Sequence, residues 1–185
     1  MGKRLEEITG DVRRFIERQH VFFVGTAPLT PDGHVNVSPK GLDTFRVLGP
    51  ARVAYLDLTG SGNETAAHVA ENRRLTLMFC AFTGPPRIVR LYCAGRVVTR
   101  ESPEWDGLLA LFPDHVGVRQ IILGEVEFLN SSCGYAVPEM EFVSERETLT
   151  RWSERKGEGG LLDYRQAKNR RSLDGLEAPP TDARG

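Results

Sequence analysis

Tyr55-Leu-Asp-Leu-Thr-Gly-Ser-Gly-Asn-Glu-Thr-Ala-Ala-His-Val-Ala-Glu-Asn72 is the stretch that decides how this chain folds. It begins as a strand, passes through a turn with two glycines, and ends as a helix. Ser61-Gly-Asn-Glu64 has the S-x-x-E form of a capping box, in which both side chains bond free backbone N–H groups. Gly60 and Gly62 allow positive φ angles and the close approach of a ligand. Because a helix N-terminus binds phosphate readily, the stretch is either a phosphate-binding turn or a well-capped turn without a ligand.

Six segments have the composition or alternation of strands. They are residues 21–26, 34–38, 52–58, 75–82, 87–99 and 119–129. Their connections are mainly short, and a Pro-Asp-Gly turn joins the first two as a hairpin. Only one strand–helix–strand unit is evident, which argues against a doubly wound sheet. The sequence therefore predicts a mainly β fold with peripheral helices, built as a six-stranded antiparallel barrel.

Prolines, glycines and capping residues predict where the strands, helices and domains begin and end. Pro39 is expected to end the second strand, because proline cannot donate to a ladder, and Gly95 indicates a bulge or bend in the fifth. Helices are predicted over residues 6–19 and from Ser102. From Ser144 the chain is helical and highly charged, with a second S-x-x-E box and glycines at 157–160 that separate two helices. We expect a barrel domain over residues 1–143, a helical extension over 144–178 and a flexible tail over 179–185.

Composition narrows the class of protein. The 185 residues carry a formal net charge of −1, whereas nucleic-acid binders are usually strongly basic. No apolar run approaches the length of a membrane span, and the N-terminus lacks the apolar segment of a signal peptide. The three cysteines include no CxxC pair, as is common for reduced thiols. We therefore expect a cytoplasmic protein that binds neither nucleic acid nor membrane.

A few polar residues stand out as binding candidates. Lys40 ends the second strand and could face the glycine turn, placing an ammonium opposite backbone donors around a phosphate, or it could be a solvated surface charge. Arg87 lies in an apolar strand, where either an anion or a carboxylate of the chain could pair with it. His68 lies one helical turn after Glu64 and shares its face, although a structural role is the simpler interpretation. The histidines and cysteines show no metal-ligand spacing. Cys133 could be a nucleophile, but the sequence places no histidine or basic residue to lower its pKa, so we expect an inert thiol.

Four segments together resemble the pyridoxamine 5′-phosphate oxidase-like family of flavin-binding split β-barrels. They are Val35-Asn-Val-Ser-Pro-Lys-Gly41, Tyr55–Thr65, Glu71–Phe79 and Pro86–Gly95, in that order. Residues 132–138 and 169–175 are similar to marks of a bacterial subgroup of that family to which no activity is assigned. The resemblance implies an FMN-binding split barrel that forms a homodimer, with FMN in clefts between the subunits.

The resemblance also implies roles for individual residues. Lys40 falls where the family has a lysine near the flavin, Thr59 where a threonine contacts it, and Arg87 near a residue that approaches the ring. The phosphate segment of the family corresponds to Asn63, Glu64 and Thr65, preceded by Ser61 and Gly62. With His68 added, the predicted cofactor-binding residues are Lys40, Thr59, Ser61, Gly62, Asn63, Glu64, Thr65, His68 and Arg87.

The chain also departs from the oxidases that name the family. It has Asn-Glu-Thr at 63–65 where they place two phosphate-binding cations, and Val35 where they have an arginine. It also lacks their C-terminal tryptophan and arginine signature, so pyridoxamine phosphate oxidation itself is not expected. The prediction is an FMN-dependent oxidoreductase acting on an unidentified small molecule, with no assigned catalytic residue. A deazaflavin-dependent reductase and a flavin-binding or sensing module without turnover are the alternatives.

Overall fold

The computed structural model of the chain describes residues 2–181. Its strands are β1 (Lys3–Leu5), β2 (Phe22–Thr26), β3 (Asn36–Lys40), β4 (Phe45–Gly49), β5 (Arg52–Leu58), β6 (Arg74–Cys80), β7 (Ile88–Val98) and β8 (Val118–Ser132). Its helices are α1 (Gly10–Glu17), α2 (Glu64–Asn72), α3 (Trp105–Leu109) and α4 (Thr148–Lys168).

One antiparallel sheet organises the described residues. Its strand order is β3-β2-β6-β7-β8-β5-β4, and β1 adds to β8. The predicted class, mainly β and antiparallel with peripheral helices, is confirmed. The predicted strand number was too low, since the sheet has eight strands within residues 2–181. The two missed strands are β1, which has only three residues, and β4, in which the adjacent apolar residues Val47 and Leu48 break the alternation.

Two clusters of buried apolar side chains hold the sheet. The larger cluster contains Phe22, Tyr55 and Phe79 and receives the apolar face of α1. The smaller cluster packs Trp105 and neighbouring residues of α3 against β5 and β8. Because β5 contributes to both clusters, five consecutive residues, 53–57, are buried. This burial carries Asp57 and the turn that follows into the interior.

Both predicted capping boxes are wrong. Helix α2 begins at Glu64 with Asn63 as its N-cap, and no side chain caps it. The Glu64 carboxylate instead accepts a hydrogen bond from the backbone N–H of Leu173 at 2.9 Å, so a distant segment uses the group that the local motif would need. Helix α4 likewise begins at Thr148 without a side-chain cap, after its predicted start at Ser144.

Two other boundary predictions also need correction. Strand β3 continues through Pro39, which pairs with Phe23, because β3 is the outermost strand and its outward N–H positions need no partner. The irregularity in β7 lies between Tyr92 and Cys93, not at Gly95. A Cβ atom at Gly95 would lie only 3.0 Å from a side-chain carbon of α2, so this glycine allows α2 to pack closely against the sheet.

The C-terminal part of the chain packs against the barrel. Helix α4 is broken at Gly157, where φ is +64°, in agreement with a glycine interruption between two helical parts. Residues 169–178, the C-terminal strap, then cross α2. Asp174 accepts from the His34 backbone N–H at 2.8 Å and lies 2.7 Å from its Nδ1, while Ala178 packs on two alanines of α2. The domain division stays a prediction. Thr181, in the predicted tail, is buried, and residues 182–185 lie outside the described part.

Candidate functional site

A buried carboxylate, Asp57, lies where β5 meets the glycine turn. It accepts hydrogen bonds from Lys40 Nζ at 2.9 Å, Arg119 Nε at 2.8 Å and Gln120 Nε2 at 2.7 Å. Lys40 arrives from β3, whereas Arg119 and Gln120 lie beside Asp57 on the neighbouring strand β8. The side chains of Asp57 and Arg119 are 2% and 4% exposed and that of Lys40 is 23% exposed. Asp57 therefore holds one cation on each of its carboxylate oxygens, Lys40 on Oδ1 and Arg119 on Oδ2.

Asp57, Lys40 and Arg119 form a charge cluster, and the two cations determine the ionisation of Asp57. Burial alone would raise the pKa of Asp57, but the Arg119 guanidinium and the Lys40 ammonium outweigh burial and hold that pKa well below its usual range. Asp57 is thus ionised at neutral pH. With both cations charged, the three side chains carry one net positive charge beside the glycine turn.

The backbone of the glycine turn, Gly60–Asn63, is oriented by two side chains. Arg119 Nη1 donates to the Gly62 carbonyl at 2.7 Å, and Asn169 Nδ2 donates to the Gly60 carbonyl at 3.0 Å. In a planar trans peptide the N–H points opposite to the C=O, so the N–H groups of Ser61 and Asn63 point away from these donors. Within residues 2–181, the backbone N–H groups from Gly60 to Ala66 have no hydrogen-bond partner.

The side chains of the turn are used for structure. Thr59 Oγ1 donates to the Gly117 carbonyl at 2.7 Å and accepts from Arg165 Nε at 2.8 Å. The Asn63 amide accepts from Gln120 and donates to the Asn169 carbonyl. Thr59 and Asn63 are buried, whereas Ser61 is exposed. An anionic group therefore fits the backbone donors of this turn, but not the side chains of Thr59 or Asn63.

Two further predicted residues lie on the buried side of α2. Thr65 Oγ1 accepts from the Asn36 amide at 3.2 Å. His68 is fully buried, with Nδ1 3.0 Å from Thr26 Oγ1. Burial lowers the pKa of His68, so its imidazole is neutral at neutral pH. In the described chain, His68 Nε2 has no hydrogen-bond partner.

Arg87 belongs to a different place in the single chain. It pairs with Asp11 at 2.8 Å, donates to Ser131 Oγ at 3.0 Å and lies 5.0 Å from the Phe15 ring. It lines a cleft of about 570 Å³ that also contains the exposed Cys133. The structure therefore brings Lys40 and the glycine turn together through Asp57 and Arg119, and places Arg87 elsewhere.

A second cleft, of about 710 Å³, opens beside Lys40. It lies between the end of β3 and the start of α4, and Trp152 and Phe142 contribute aromatic surface to it. The Phe142 ring stacks on His20, with the ring centroids 3.7 Å apart. A cleft of this size with apolar walls and a lysine at its edge has the character of a small-molecule site.

Sequence reasoning missed four residues of this arrangement: Asp57, Arg119, Gln120 and Asn169. Asp57, Arg119 and Gln120 carried a weak signal, since each is polar within an otherwise apolar strand. Asn169 begins the segment 169–175 that resembles a subgroup of the family, but this resemblance did not connect it with the glycine turn, because its contact joins residues 109 positions apart. Within residues 2–181 no group of three or more His, Cys, Asp or Glu residues could hold a metal ion, and no helix is long and apolar enough to cross a membrane.

Comparisons with known proteins agree on one family. The family model described as Pyridoxamine 5'-phosphate oxidase matches residues 8–128. The pyridoxamine 5'-phosphate oxidase family protein ustO of Aspergillus flavus is 39% identical over 188 residues, which cover 92% of this chain and 75% of that protein.

Solved structures share the fold at low sequence identity. HupZ from Group A Streptococcus gives a TM-score of 0.51 at 16% identity, covering 65% of this chain and 91% of that one. A pyridoxamine 5'-phosphate oxidase candidate from Lactobacillus delbrueckii gives 0.52 at 18% identity, covering 68% and 94%. These likenesses concern the fold alone, and they confirm the split-barrel class.

Proposed function

The chain belongs to the pyridoxamine 5'-phosphate oxidase family, and from this premise we propose that it is an FMN-dependent oxidoreductase that acts on a small molecule in the cytoplasm. The observation that best supports FMN is the row of backbone N–H groups from Gly60 to Ala66 without a partner in the described chain. These groups begin a helix whose positive dipole end favours phosphate.

Within this proposal each part of the chain has a task. The backbone N–H groups of the glycine turn and Lys40 would hold the phosphate, which compensates for the two cations that the segment 63–65 lacks. The cleft beside Lys40 and Trp152 would take the planar part of the cofactor or the substrate and exclude water. When bound, FMN supplies the redox chemistry by exchanging hydride with a substrate.

We also propose that the protein is a homodimer with the cofactor between subunits. Two features of the single chain support this. Arg87, a predicted cofactor residue, lies in a cleft apart from the glycine turn, so the Arg87 of a second copy could reach a site that its own chain does not. Val37 in the outermost strand β3 is 64% exposed, and Val35, just before that strand, is 72% exposed. A second copy would cover this apolar area.

The proposal is tested first by the purified protein. We expect the flavin absorption spectrum without added cofactor, FMN as the co-purified molecule by mass spectrometry, and anaerobic bleaching by a nicotinamide donor. A colourless protein that ignores FMN in titration would reject FMN binding, and tighter binding of a deazaflavin would replace it. A bound flavin that no donor reduces would reject turnover.

The role of Lys40 is tested separately. Lys40→Ala should weaken FMN more than riboflavin, because it removes the net positive charge of the cluster that Lys40 forms with Asp57 and Arg119, and only FMN carries a phosphate that this charge would attract. Lys3→Ala, at an exposed lysine of β1, is the matched control and should change neither affinity. Equal weakening of both ligands by Lys40→Ala would contradict a phosphate role.

A further inference from the structure

The residue that follows α4, Asn169, is buried against the glycine turn. It is 3% exposed and makes three contacts with the barrel. Its amide Nδ2 donates to the Gly60 carbonyl at 3.0 Å, and its Oδ1 accepts from Arg119 Nη1 at 2.9 Å. Its own backbone carbonyl accepts from the Asn63 amide at 3.2 Å.

These contacts fix the direction of two peptide groups. Asn169 holds the carbonyl between Gly60 and Ser61, and Arg119 holds the carbonyl between Gly62 and Asn63. Since each peptide is planar and trans, fixing the carbonyl also fixes the N–H on its opposite side. Glycine turns can rotate such groups at little cost, so without these donors the N–H groups of Ser61 and Asn63 would have no preferred direction.

We propose that Asn169 is a positioning residue for the flavin phosphate, an assignment that rests on the proposed function. It holds the glycine turn with its backbone donors aimed at the ligand before the ligand arrives, which reduces the ordering cost of binding. Helix α4 and the C-terminal strap are then part of the cofactor site.

The side chain at this position needs both ends of an amide. Its N–H group satisfies the Gly60 carbonyl, and its oxygen satisfies the buried Arg119 guanidinium. Alanine would leave both without these partners. Serine keeps a polar group, but its single hydroxyl is too short to span both contacts.

The test compares Asn169→Ala with Asn72→Ala. Asn72 also donates to a backbone carbonyl, that of Ala27 at 2.8 Å, but at the opposite end of α2. We expect Asn169→Ala to weaken FMN by about fivefold or more and riboflavin by less than about twofold, in line with the loss of about one backbone hydrogen bond from the turn to the phosphate. Asn72→Ala should leave the ratio of the two affinities unchanged. Equal weakening of both flavins, or no weakening by Asn169→Ala, would overturn the assignment.

A second readout needs no flavin. In ¹⁵N-labelled protein without cofactor, Asn169→Ala should shift or broaden the backbone amide signals of residues 60–63, whereas Asn72→Ala should not. Unchanged signals would refute positioning even if the affinity fell. If the alanine variant does not fold, Asn169→Ser carries the same expectations. Failure of the natural protein to bind FMN would reject the proposed function and with it the flavin phosphate as the ligand, whereas the amide signals would still show whether Asn169 orients the glycine turn.

Discussion

Asp57→Asn is the substitution that tests the buried charge cluster most directly. It removes the negative charge that balances Arg119 and Lys40 while keeping the shape of the side chain. Lys40 is 23% exposed and can regain water, whereas Arg119 is 4% exposed and cannot. Removing one partner of a buried ion pair costs about 3–5 kcal/mol, and we expect that loss in the free energy of unfolding. Lys40→Met should cost less, about 2 kcal/mol, because Asp57 keeps its other two donors.

The assay is urea unfolding followed by tryptophan fluorescence and linear extrapolation. Glu125→Gln is the control, since Glu125 pairs with Arg52 at 3.1 Å and both side chains are about half exposed. Such a surface pair contributes about 0–1 kcal/mol. The pKa of Asp57 is lower when folded than the value of about 3.9 in an unfolded chain. Its stabilisation is therefore complete above that value and disappears as the pH falls through the folded pKa.

The difference between the natural protein and Asp57→Asn should accordingly be the same at about pH 6 and about pH 8. A loss below about 1 kcal/mol, no larger than that of the exposed control, would refute the view that this cluster is a desolvated ion pair. A difference that shrinks between those two pH values would also refute it, because Asp57 would then titrate near neutrality.

Three other predictions follow from single positions. Burial lowers the pKa of His68, so on acidification the unfolded chain takes up a proton at this side chain before the folded chain does. The melting temperature should therefore decrease when the pH is lowered beyond about 6.5. This decrease should be smaller in His68→Asn, and an equal decrease would contradict the reasoning. Ellman's reagent should react quickly with the exposed Cys133 alone, because the other two thiols are buried and burial raises the pKa of Cys93 to about 12; Cys133→Ser should remove the fast phase. Gly95→Ala should lower the free energy of unfolding by about 1–3 kcal/mol through overpacking, whereas Gly49→Ala, with open space around it, should change it little, and equal effects would show that packing against α2 is not the cause.

The sequence predicted the elements that carry their own pattern. All six expected strands are present, because each is a run of β-forming or alternating residues that leaves a local signal. The glycine turn was also placed correctly between β5 and α2. The predicted capping box at the start of α2 was wrong, because the Glu64 carboxylate accepts a hydrogen bond from the backbone N–H of Leu173 instead. Competition between a local partner and a distant one cannot be resolved from local spacing.

The charge cluster of Asp57, Lys40 and Arg119 also depends on contacts between distant residues, which local sequence patterns do not predict. Lys40 was selected from the sequence as a cation near the turn, and the structure places it against Asp57. Arg119 and Asn169 were missed because neither the polar position in a strand nor the subgroup segment 169–175 indicates which distant residue the side chain contacts. Their importance comes from the meeting of β8, α4 and the turn, which only the complete topology defines.

The contact between Gly60 and Asn169 also bears on how the protein is made. The two residues are 109 positions apart, and a chain leaves the ribosome from its N-terminus at about 5–20 residues per second. The barrel strands emerge long before the residue that fixes the turn. A nascent or truncated chain that ends before Asn169 would therefore have a sheet without the residue that orients the glycine turn. If the turn binds the cofactor as proposed, cofactor loading would have to wait until residue 169 has been made and folded.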